Sequence, residues 1–276
     1  MTEHLPAGHR PPCRWRLIDT GPLDGPANMA IDEALLTCFD PDSSLPVLRL
    51  YGWNPPCLSL GRFQRTDEVL NLVRCQEAGV PIVRRITGGG VIYHTAELTY
   101  SLVCAPHQIP PATSIKDSFR VLTSFLLAFY HGLGLPARYA VDCHTGAGQL
   151  GERTPFCFAG KEEYDILING RKIGGNAQRR LRRTIFQHGS IPLQDLSAVG
   201  AAFMREQPSG LTNGITSLQD EGIQREEAQL KQLLTDAFRQ RLDAVLERSE
   251  LTGDETDAAR SLLEKYRGET WNRDGE

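Results

Sequence analysis

The sequence has no long apolar run and few lysines, and each absence excludes a class of protein. Its longest apolar stretch, residues 125–130, is far short of the ~20 residues that a membrane-spanning helix needs. Only five of its 30 cationic residues are lysines, and the formal net charge is −4. No global basic field would therefore attract nucleic acid non-specifically. We expect neither a membrane span nor a nucleic-acid partner.

The seven cysteines are scattered along the chain without a Cys-x-x-Cys pair. A zinc framework needs closely spaced ligands, and a chain of 276 residues can bury a core without disulfides. The first twelve residues include Glu3 and three prolines and lack the apolar segment of a signal peptide. These features predict a soluble, cytoplasmic protein with free cysteines and no metal site.

Hydrophobic periodicity predicts one α+β domain in which helices flank a mixed β-sheet. Residues 1–13 are expected to form a mobile lead-in, and residues 14–276 a single catalytic domain on which residues 223–276 pack as C-terminal helices. One helix should begin at Gly25-Pro26, with Asp32 and Glu33 facing outward. Further helices are predicted over 113–131, 225–248 and 254–266, and strands over 47–51, 57–60, 81–85, 91–94, 98–104 and 184–193.

A hairpin is predicted around Asn169-Gly170, which separates two β-rich runs. Asn-Gly is a strong hairpin signal because both central residues of its two-residue turn must accept a positive φ. Such a turn places Ile168 opposite Arg171 and Leu167 opposite Lys172.

Three consecutive glycines at 88–90 indicate that something approaches the main chain closely. Exposed N–H groups in such a loop suit a phosphate, a carboxylate or an acyl carbonyl. An ordinary hairpin turn between surface arginines is the alternative.

Other candidate residues each have a structural alternative. Lys172, just before Gly174-Gly175, could place its charge on a carbonyl oxygen, although most hairpin lysines are solvated. Cys157 lies between two phenylalanines, as a small core residue often does, and Cys143-His144 is a rival nucleophile. His188 is by default a hydrogen-bonded core histidine.

Six segments occur together in an order that resembles a known family. It is the lipoate–protein ligase A / octanoyltransferase family, whose fold resembles the catalytic domain of biotin–protein ligases. The segments are 28–36 (NMAIDEALL), 84–94 (RRITGGGVIYH), 97–101 (ELTYS), 170–178 (GRKIGGNAQ), 187–190 (QHGS) and 265–271 (KYRGETW).

The resemblance implies that the glycine-rich loop lies along the acyl group and that Lys172 contacts the acyl carbonyl. With Cys157, Lys172 is an implied catalytic residue. The implied substrate-binding residues are Arg85, Thr87, Gly88, Gly89, Gly90, His94, Gly174, Gly175, Asn176, Ala177, His188 and Gly189.

Within the family, three features resemble the LipM-type octanoyltransferases more than the ATP-dependent ligases. Cys157-Phe158 precedes Tyr164 by the spacing of that group's nucleophile segment, and Tyr164 stands where ligases have Asn before Asp165. The chain also ends soon after Trp271, without the accessory domain of many ligases. Departures from the transferase pattern are Gly90, Thr95 and Asn176, where Arg, Asp and Ser are usual.

The implied reaction moves octanoate from an acyl-carrier-protein thioester, through Cys157, to a lysine of the glycine-cleavage H protein or a lipoyl domain, without a cofactor. An ATP-dependent lipoate or octanoate ligase, an octanoyl amidotransferase between lipoyl-type proteins, and a non-catalytic acyl- or lipoyl-domain-binding module are the alternatives. Both carrier proteins are expected to be acidic, and they could dock on a basic patch formed by Arg179, Arg180, Arg182 and Arg183.

Overall fold

The computed structural model describes residues 12–109, 114–143, 163–206 and 214–275. Its centre is a six-stranded sheet in the order β10-β11-β6-β2-β1-β12. The strands β12, β1 and β2 are parallel, whereas β2, β6, β11 and β10 pair antiparallel, so the sheet is mixed as predicted. These strands are β1 (Cys13–Leu23), β2 (Val47–Trp53), β6 (Glu97–Cys104), β10 (Asn176–Leu181), β11 (Thr184–Pro192) and β12 (Ala244–Arg248).

Two three-stranded sheets extend the core. One has the order β4-β3-β5 and the other the order β7-β8-β9. The first carries the glycine-rich loop and the second carries Lys172. Their strands are β3 (Cys57–Leu60), β4 (Ile82–Arg84), β5 (Ile92–His94), β7 (Ala137–Tyr139), β8 (Ile166–Ile168) and β9 (Arg171–Lys172).

Helices cover both faces of the six-stranded sheet. On one face α4 packs against α7, and on the other α1 packs against α8. No helix in the described ranges combines the length and apolarity needed to cross a membrane. The described helices are α1 (Gly25–Thr37), α2 (Thr66–Val69), α3 (Leu72–Glu77), α4 (Ile115–Gly132), α5 (Ala140–Cys143), α6 (Ser197–Ala201), α7 (Glu227–Leu242) and α8 (Gly253–Arg267), with a 3₁₀ turn at Pro106–Gln108 and a π-type turn at Thr270–Asp274.

Alternation along the strands explains the two-sided core. In β2, Leu48 and Leu50 contribute to the cluster beneath α4 and α7, whereas Val47 and Tyr51 face α1. Successive side chains of a strand point to opposite faces, so a strand covered on both sides is apolar at nearly every position. The exception on β2 is Arg49, a buried cation on the α1 face.

The predicted hairpin is confirmed, including its register. Leu167 pairs with Lys172 and Ile168 with Arg171 across the turn. Asn169 and Gly170 have φ values of 50° and 81°, the left-handed conformation that an Asn-Gly turn requires.

The prediction for the chain ends is partly wrong. The helix predicted to reach Arg248 ends at Leu242, where Asp243 adopts a left-handed φ of 47°, and residues 244–248 form β12 instead. β12 pairs with β1, whose first residue, Cys13, was assigned to the lead-in. Without β12, β1 would be an unpaired sheet edge, so long-range pairing overrides the local helical pattern. Residues 1–11 of that lead-in lie outside the described residues.

We expect Phe238→Ala to lower the free energy of unfolding by about 3–5 kcal/mol. Phe238 is buried between Trp15 and Phe125, with ring centroids 4.9 and 5.1 Å away, and truncation leaves a cavity under the sheet. Urea unfolding measures the change. The matched control is Phe63→Ala, because that ring is 84% exposed and its loss should change stability by less than about 0.5 kcal/mol. Equal effects of the two variants would contradict this packing.

Candidate active site

The glycine-rich loop joins β4 to β5, and Arg85 holds it from the protein side. The Arg85 guanidinium donates to the carbonyls of Gly88 (3.2 Å) and Gly90 (2.9 Å). Because N–H and C=O of a trans peptide point in opposite directions, the Gly89 N–H points away from Arg85. Gly89 is exposed and has a φ of 99°, which favours glycine. Arg85, predicted to bind substrate, therefore lies behind the loop.

Gly61 completes the support of this loop, and the sequence analysis did not identify it. A Cβ atom on Gly61 would lie 1.9 Å from the carbonyl oxygen of Gly89, so only glycine fits. The same contact turns the Gly89 carbonyl inward and the Gly90 N–H outward. Among the described residues, no backbone carbonyl accepts from the N–H groups of Gly88, Gly89 or Gly90. The loop thus presents its amides as donors.

His94 is buried in a polar chain that ends at the loop. Its Nδ1 lies 2.7 Å from Glu97 Oε1, and its Nε2 lies 2.6 Å from the hydroxyl of Ser59. The same hydroxyl accepts from Arg85. The ring of His94 also stacks on Trp53, with 3.8 Å between centroids. His94 therefore reaches the glycine-rich loop through Ser59 and Arg85.

A second buried network surrounds Asp32 and corrects the prediction that this residue faces outward. Asp32 is 1% exposed and pairs with Arg49 at 2.8 Å. It also accepts from Ser101 (2.8 Å) and from Tyr51 (2.9 Å). Burial alone raises the pKa of Asp32, but the Arg49 charge and the hydrogen bonds outweigh it, so the pKa is lowered. An apolar stripe predicts which face of α1 is buried. It does not predict that Arg49 on β2 supplies a counter-charge for Asp32.

His188 links this network to the loop. Its Nε2 lies 2.7 Å from Thr87 Oγ1, and its Nδ1 faces Asp32 at 3.7 Å. Sheet register explains the meeting, because Arg49 and His188 both pair with Ser101 and so form one row across β2, β6 and β11. The pKa of His188 is lowered, because burial together with the charges of Arg85 and His94 outweighs the opposing effect of Asp32.

Lys172 is not a solvated hairpin lysine. Its side chain is 2% exposed, and its Nζ lies 2.7 Å from Asp165 Oδ2. The two side chains form a buried ion pair beside the hairpin.

At Gly174-Gly175 the main chain passes very close to the main chain of β11. A Cβ on Gly174, where φ is 87°, would lie 2.0 Å from the Ser190 carbonyl oxygen. A Cβ on Gly189 would lie 2.2 Å from Asn176 Oδ1, the atom that accepts from the Tyr100 hydroxyl. Gly175 and Ala177 belong to the same crossing, since Gly175 O accepts from the Ser190 N–H and Ala177 pairs with His188.

Three of the four arginines in the predicted basic patch bond to other residues of the chain. Arg179 donates to the carbonyl of Ile86 at 2.8 Å and so supports the glycine-rich loop. Arg180 donates to Ser118, and Arg183 pairs with Asp42 at the surface. Arg182 lies at the hairpin tip, with a φ of 51°. Arg180, Arg182 and Arg183 are exposed, and docking on them stays a prediction.

The predicted nucleophile Cys157 lies outside the described residues, as does His144. Its rival Cys143 is exposed on α5. No group of three His, Cys, Asp or Glu side chains in the described ranges is arranged to hold a metal ion.

We expect acid to weaken the fold through His188. The unfolded histidine takes up a proton near pH 6.5, whereas burial lowers the pKa of His188 in the folded state. Below pH 6.5 the unfolded state therefore binds more protons than the folded state, and the folded state loses stability as pH falls. The free energy of unfolding should therefore fall between pH 7.5 and 5.5. Urea titrations of wild type and His188→Gln measure this. The variant should lose that part of the pH dependence, and an unchanged slope would contradict the assignment.

The chain matches the family model "Lipoyl protein ligase A/B catalytic domain" over residues 24–239. It is 34% identical to octanoyltransferase LipM of Kyrpidia tusciae, with 94% of this chain and 98% of that protein covered. It is 35% identical to octanoyltransferase LipM of Anoxybacillus flavithermus (94% and 97% covered) and 33% identical to that of Bacillus subtilis (94% and 97% covered).

Two solved structures confirm the predicted fold. Lipoate-protein ligase A bound with ATP has a TM-score of 0.77 at 23% identity and covers 94% of this chain and 98% of its own. A bi-partite lipoate protein ligase from Thermoplasma acidophilum has a TM-score of 0.77 at 22% identity, with 96% and 97% covered. On the family match and the full-length relatives together, the chain belongs to the lipoyl protein ligase A/B catalytic-domain family, among the LipM octanoyltransferases.

Proposed function

We propose that this chain is an octanoyltransferase of lipoate biosynthesis that uses Cys157 as a temporary acyl carrier. The observation that carries the activity is the 33–35% identity to octanoyltransferases LipM over 94% of the chain. The donor is octanoyl acyl carrier protein, and the acceptor is a lysine of the glycine-cleavage H protein or of a lipoyl domain. The location is the cytoplasm, where the cysteines stay reduced.

In the first half-reaction the Cys157 thiolate attacks the carbonyl carbon of the octanoyl thioester. A carbon–sulfur bond to Cys157 forms, the bond to the phosphopantetheine sulfur breaks, and that sulfur leaves as a thiolate. A thiolate is needed because the thiol is a weak nucleophile. No bond energy from ATP enters this step, since one thioester replaces another.

In the second half-reaction the neutral ε-amine of the acceptor lysine attacks the octanoyl-Cys157 thioester. A carbon–nitrogen bond forms and the carbon–sulfur bond breaks. The Cys157 thiolate and one proton from the amine are released, so the enzyme returns to its starting state. Thioester-to-amide transfer is downhill and uses no metal or cofactor.

Both steps pass through a tetrahedral intermediate whose oxygen is negatively charged. Two features of the structure support a role in stabilising that charge. The ammonium of Lys172 is held beside Asp165 as a fixed cation, and the amides of Gly89 and Gly90 point outward as donors. Preorganised groups of this kind lower a barrier because they do not have to reorient during the reaction.

We expect Cys157→Ala to abolish transfer and Cys157→Ser to lower it by at least about a thousandfold. Wild-type protein mixed with octanoyl acyl carrier protein, without ATP, should gain one octanoyl group that hydroxylamine removes. Intact-mass analysis followed by peptide mapping locates the adduct at residue 157. Cys143→Ala is the matched control and should retain both adduct and turnover, because that thiol is outside the proposed pathway. Turnover by Cys157→Ala, or strict ATP dependence with adenylate formation, would overturn the proposal in favour of a ligase.

We expect Asp165→Asn to slow octanoylation of Cys157 by at least about tenfold. The carboxylate at 2.7 Å holds the Lys172 Nζ in place, and an asparagine amide cannot form the same ion pair. Rapid-quench measurement of adduct formation tests this. The control is Glu163→Gln, which breaks the neighbouring but exposed Lys116–Glu163 pair and should leave the rate unchanged. Equal rates for wild type and Asp165→Asn would exclude this role of the ion pair.

A further inference from the structure

Thr87 is the side chain through which the glycine-rich loop is tied to β11 of the six-stranded sheet. It immediately precedes Gly88, is 1% exposed, and its hydroxyl contacts His188 Nε2 at 2.7 Å. The loop is also held by the Arg85 side chain, which bonds Ser59 of β3 and two loop carbonyls, and by the Thr87 carbonyl, which accepts from the Arg62 N–H at 2.8 Å. Contacts that hold His188 in place therefore also hold Thr87, the residue before the three glycines.

His188 faces a carboxylate that three other side chains hold in place. Asp32 faces Nδ1 of His188 at 3.7 Å and is held by Arg49, Tyr51 and Ser101 at 2.8 to 2.9 Å. At 3.7 Å the contact is electrostatic and longer than a hydrogen bond. Three bonds from two strands thus fix the charge that orients the imidazole.

The direction of the hydrogen bonds follows from this arrangement. The charge of Asp32 favours the tautomer with the proton on Nδ1, which leaves Nε2 as an acceptor. The Thr87 hydroxyl then donates to Nε2. The order carboxylate, imidazole, hydroxyl is that of a catalytic triad, but Thr87 is buried and does not face solvent.

We propose that Asp32, His188 and Thr87 form a positioning triad that sets the glycine-rich loop, so that the Gly89 and Gly90 amides meet the acyl carbonyl oxygen. The proposal rests on the function proposed above for the loop. Thr87 is a positioning residue, because it acts through the loop and does not touch the reacting atoms.

Protonation of His188 should disturb the triad. The charged and titratable groups around His188 are Asp32 on α1, Arg49 and Tyr51 on β2, Arg85 after β4 and His94 on β5. Burial lowers the pKa of His188, and Arg85 and His94 lower it further against the opposing effect of Asp32. With a proton on Nε2, the Thr87 hydroxyl would have to accept from the imidazole and could no longer donate to it. The loop should then loosen at acid pH.

The test compares Thr87→Val, which keeps the shape but removes the hydroxyl, with Thr87→Ser, which keeps the hydroxyl. We expect Thr87→Val to lower kcat roughly tenfold while KM for octanoyl acyl carrier protein changes less than about twofold. Thr87→Ser should stay within about twofold of wild type. In a plot of kcat against pH, wild type and Thr87→Ser should both lose activity at acid pH. In Thr87→Val this acid loss should be smaller. Wild-type turnover and an unchanged acid loss in Thr87→Val would overturn the triad.

A readout without turnover separates this proposal from the proposed function. Hydrogen exchange of the peptide covering residues 84–94 should accelerate in Thr87→Val at pH 7, while a peptide within α4 exchanges as in wild type. If wild type forms no octanoyl adduct at residue 157, the proposed function fails and exchange still decides whether Thr87 holds the loop. Equal exchange in wild type and Thr87→Val would reject the triad even where the adduct forms.

His188→Gln provides a second variant in case Thr87→Val does not fold. Glutamine cannot titrate, so the acid acceleration of loop exchange seen in wild type should disappear. Persistence of that acceleration in His188→Gln would overturn the assignment of the acid effect to this imidazole.

Discussion

The buried ion pair between Asp32 and Arg49 is the interaction on which the rest of this site depends. Arg49 is fully buried and Asp32 nearly so, and 2.8 Å separates their charged atoms. Removing one partner of such a pair leaves an uncompensated charge inside the protein and typically costs about 3–5 kcal/mol. The pair joins α1 to the sheet and at the same time fixes the charge beside His188.

Three arginines, Arg84, Arg85 and Arg179, hold separate main-chain segments together through hydrogen bonds to carbonyls. The guanidinium of Arg84 donates to main-chain carbonyls of two separate segments, 61–64 and 271–273. Arg85 and Arg179 do the same for carbonyls of the glycine-rich loop and of Ile86. A planar fork of five donors can satisfy several carbonyls at once, which a lysine ammonium cannot do with the same geometry. These arginines therefore join segments that lie far apart in the chain.

This arrangement has a consequence for catalysis. Carbonyls of the loop are bound from the protein side, and the amides of the same peptides are thereby directed outward. The two polar chains, Glu97–His94–Ser59–Arg85 and Asp32–His188–Thr87, approach the loop from β5 and β11. A glycine loop without such supports would lose part of its binding energy in being ordered. Here the fold has ordered the loop in advance, which suits the acyl-binding role proposed for it.

Local sequence patterns were enough to predict most of the secondary-structure elements and the family. Asn169-Gly170 predicted a hairpin and its register correctly, because a two-residue turn leaves one pairing that fits. The β-rich runs, the glycine-rich loop and the order of six motifs predicted the fold class. The surroundings of each candidate functional group, in contrast, depend on long-range packing. Asp32 is buried because Arg49, 17 residues away, offers a counter-charge, and Gly61 is required because Gly89 crosses it. β12 is a strand because β1, more than 200 residues earlier, offers an open edge. Such contacts join distant parts of the chain, and local periodicity carries no information about them.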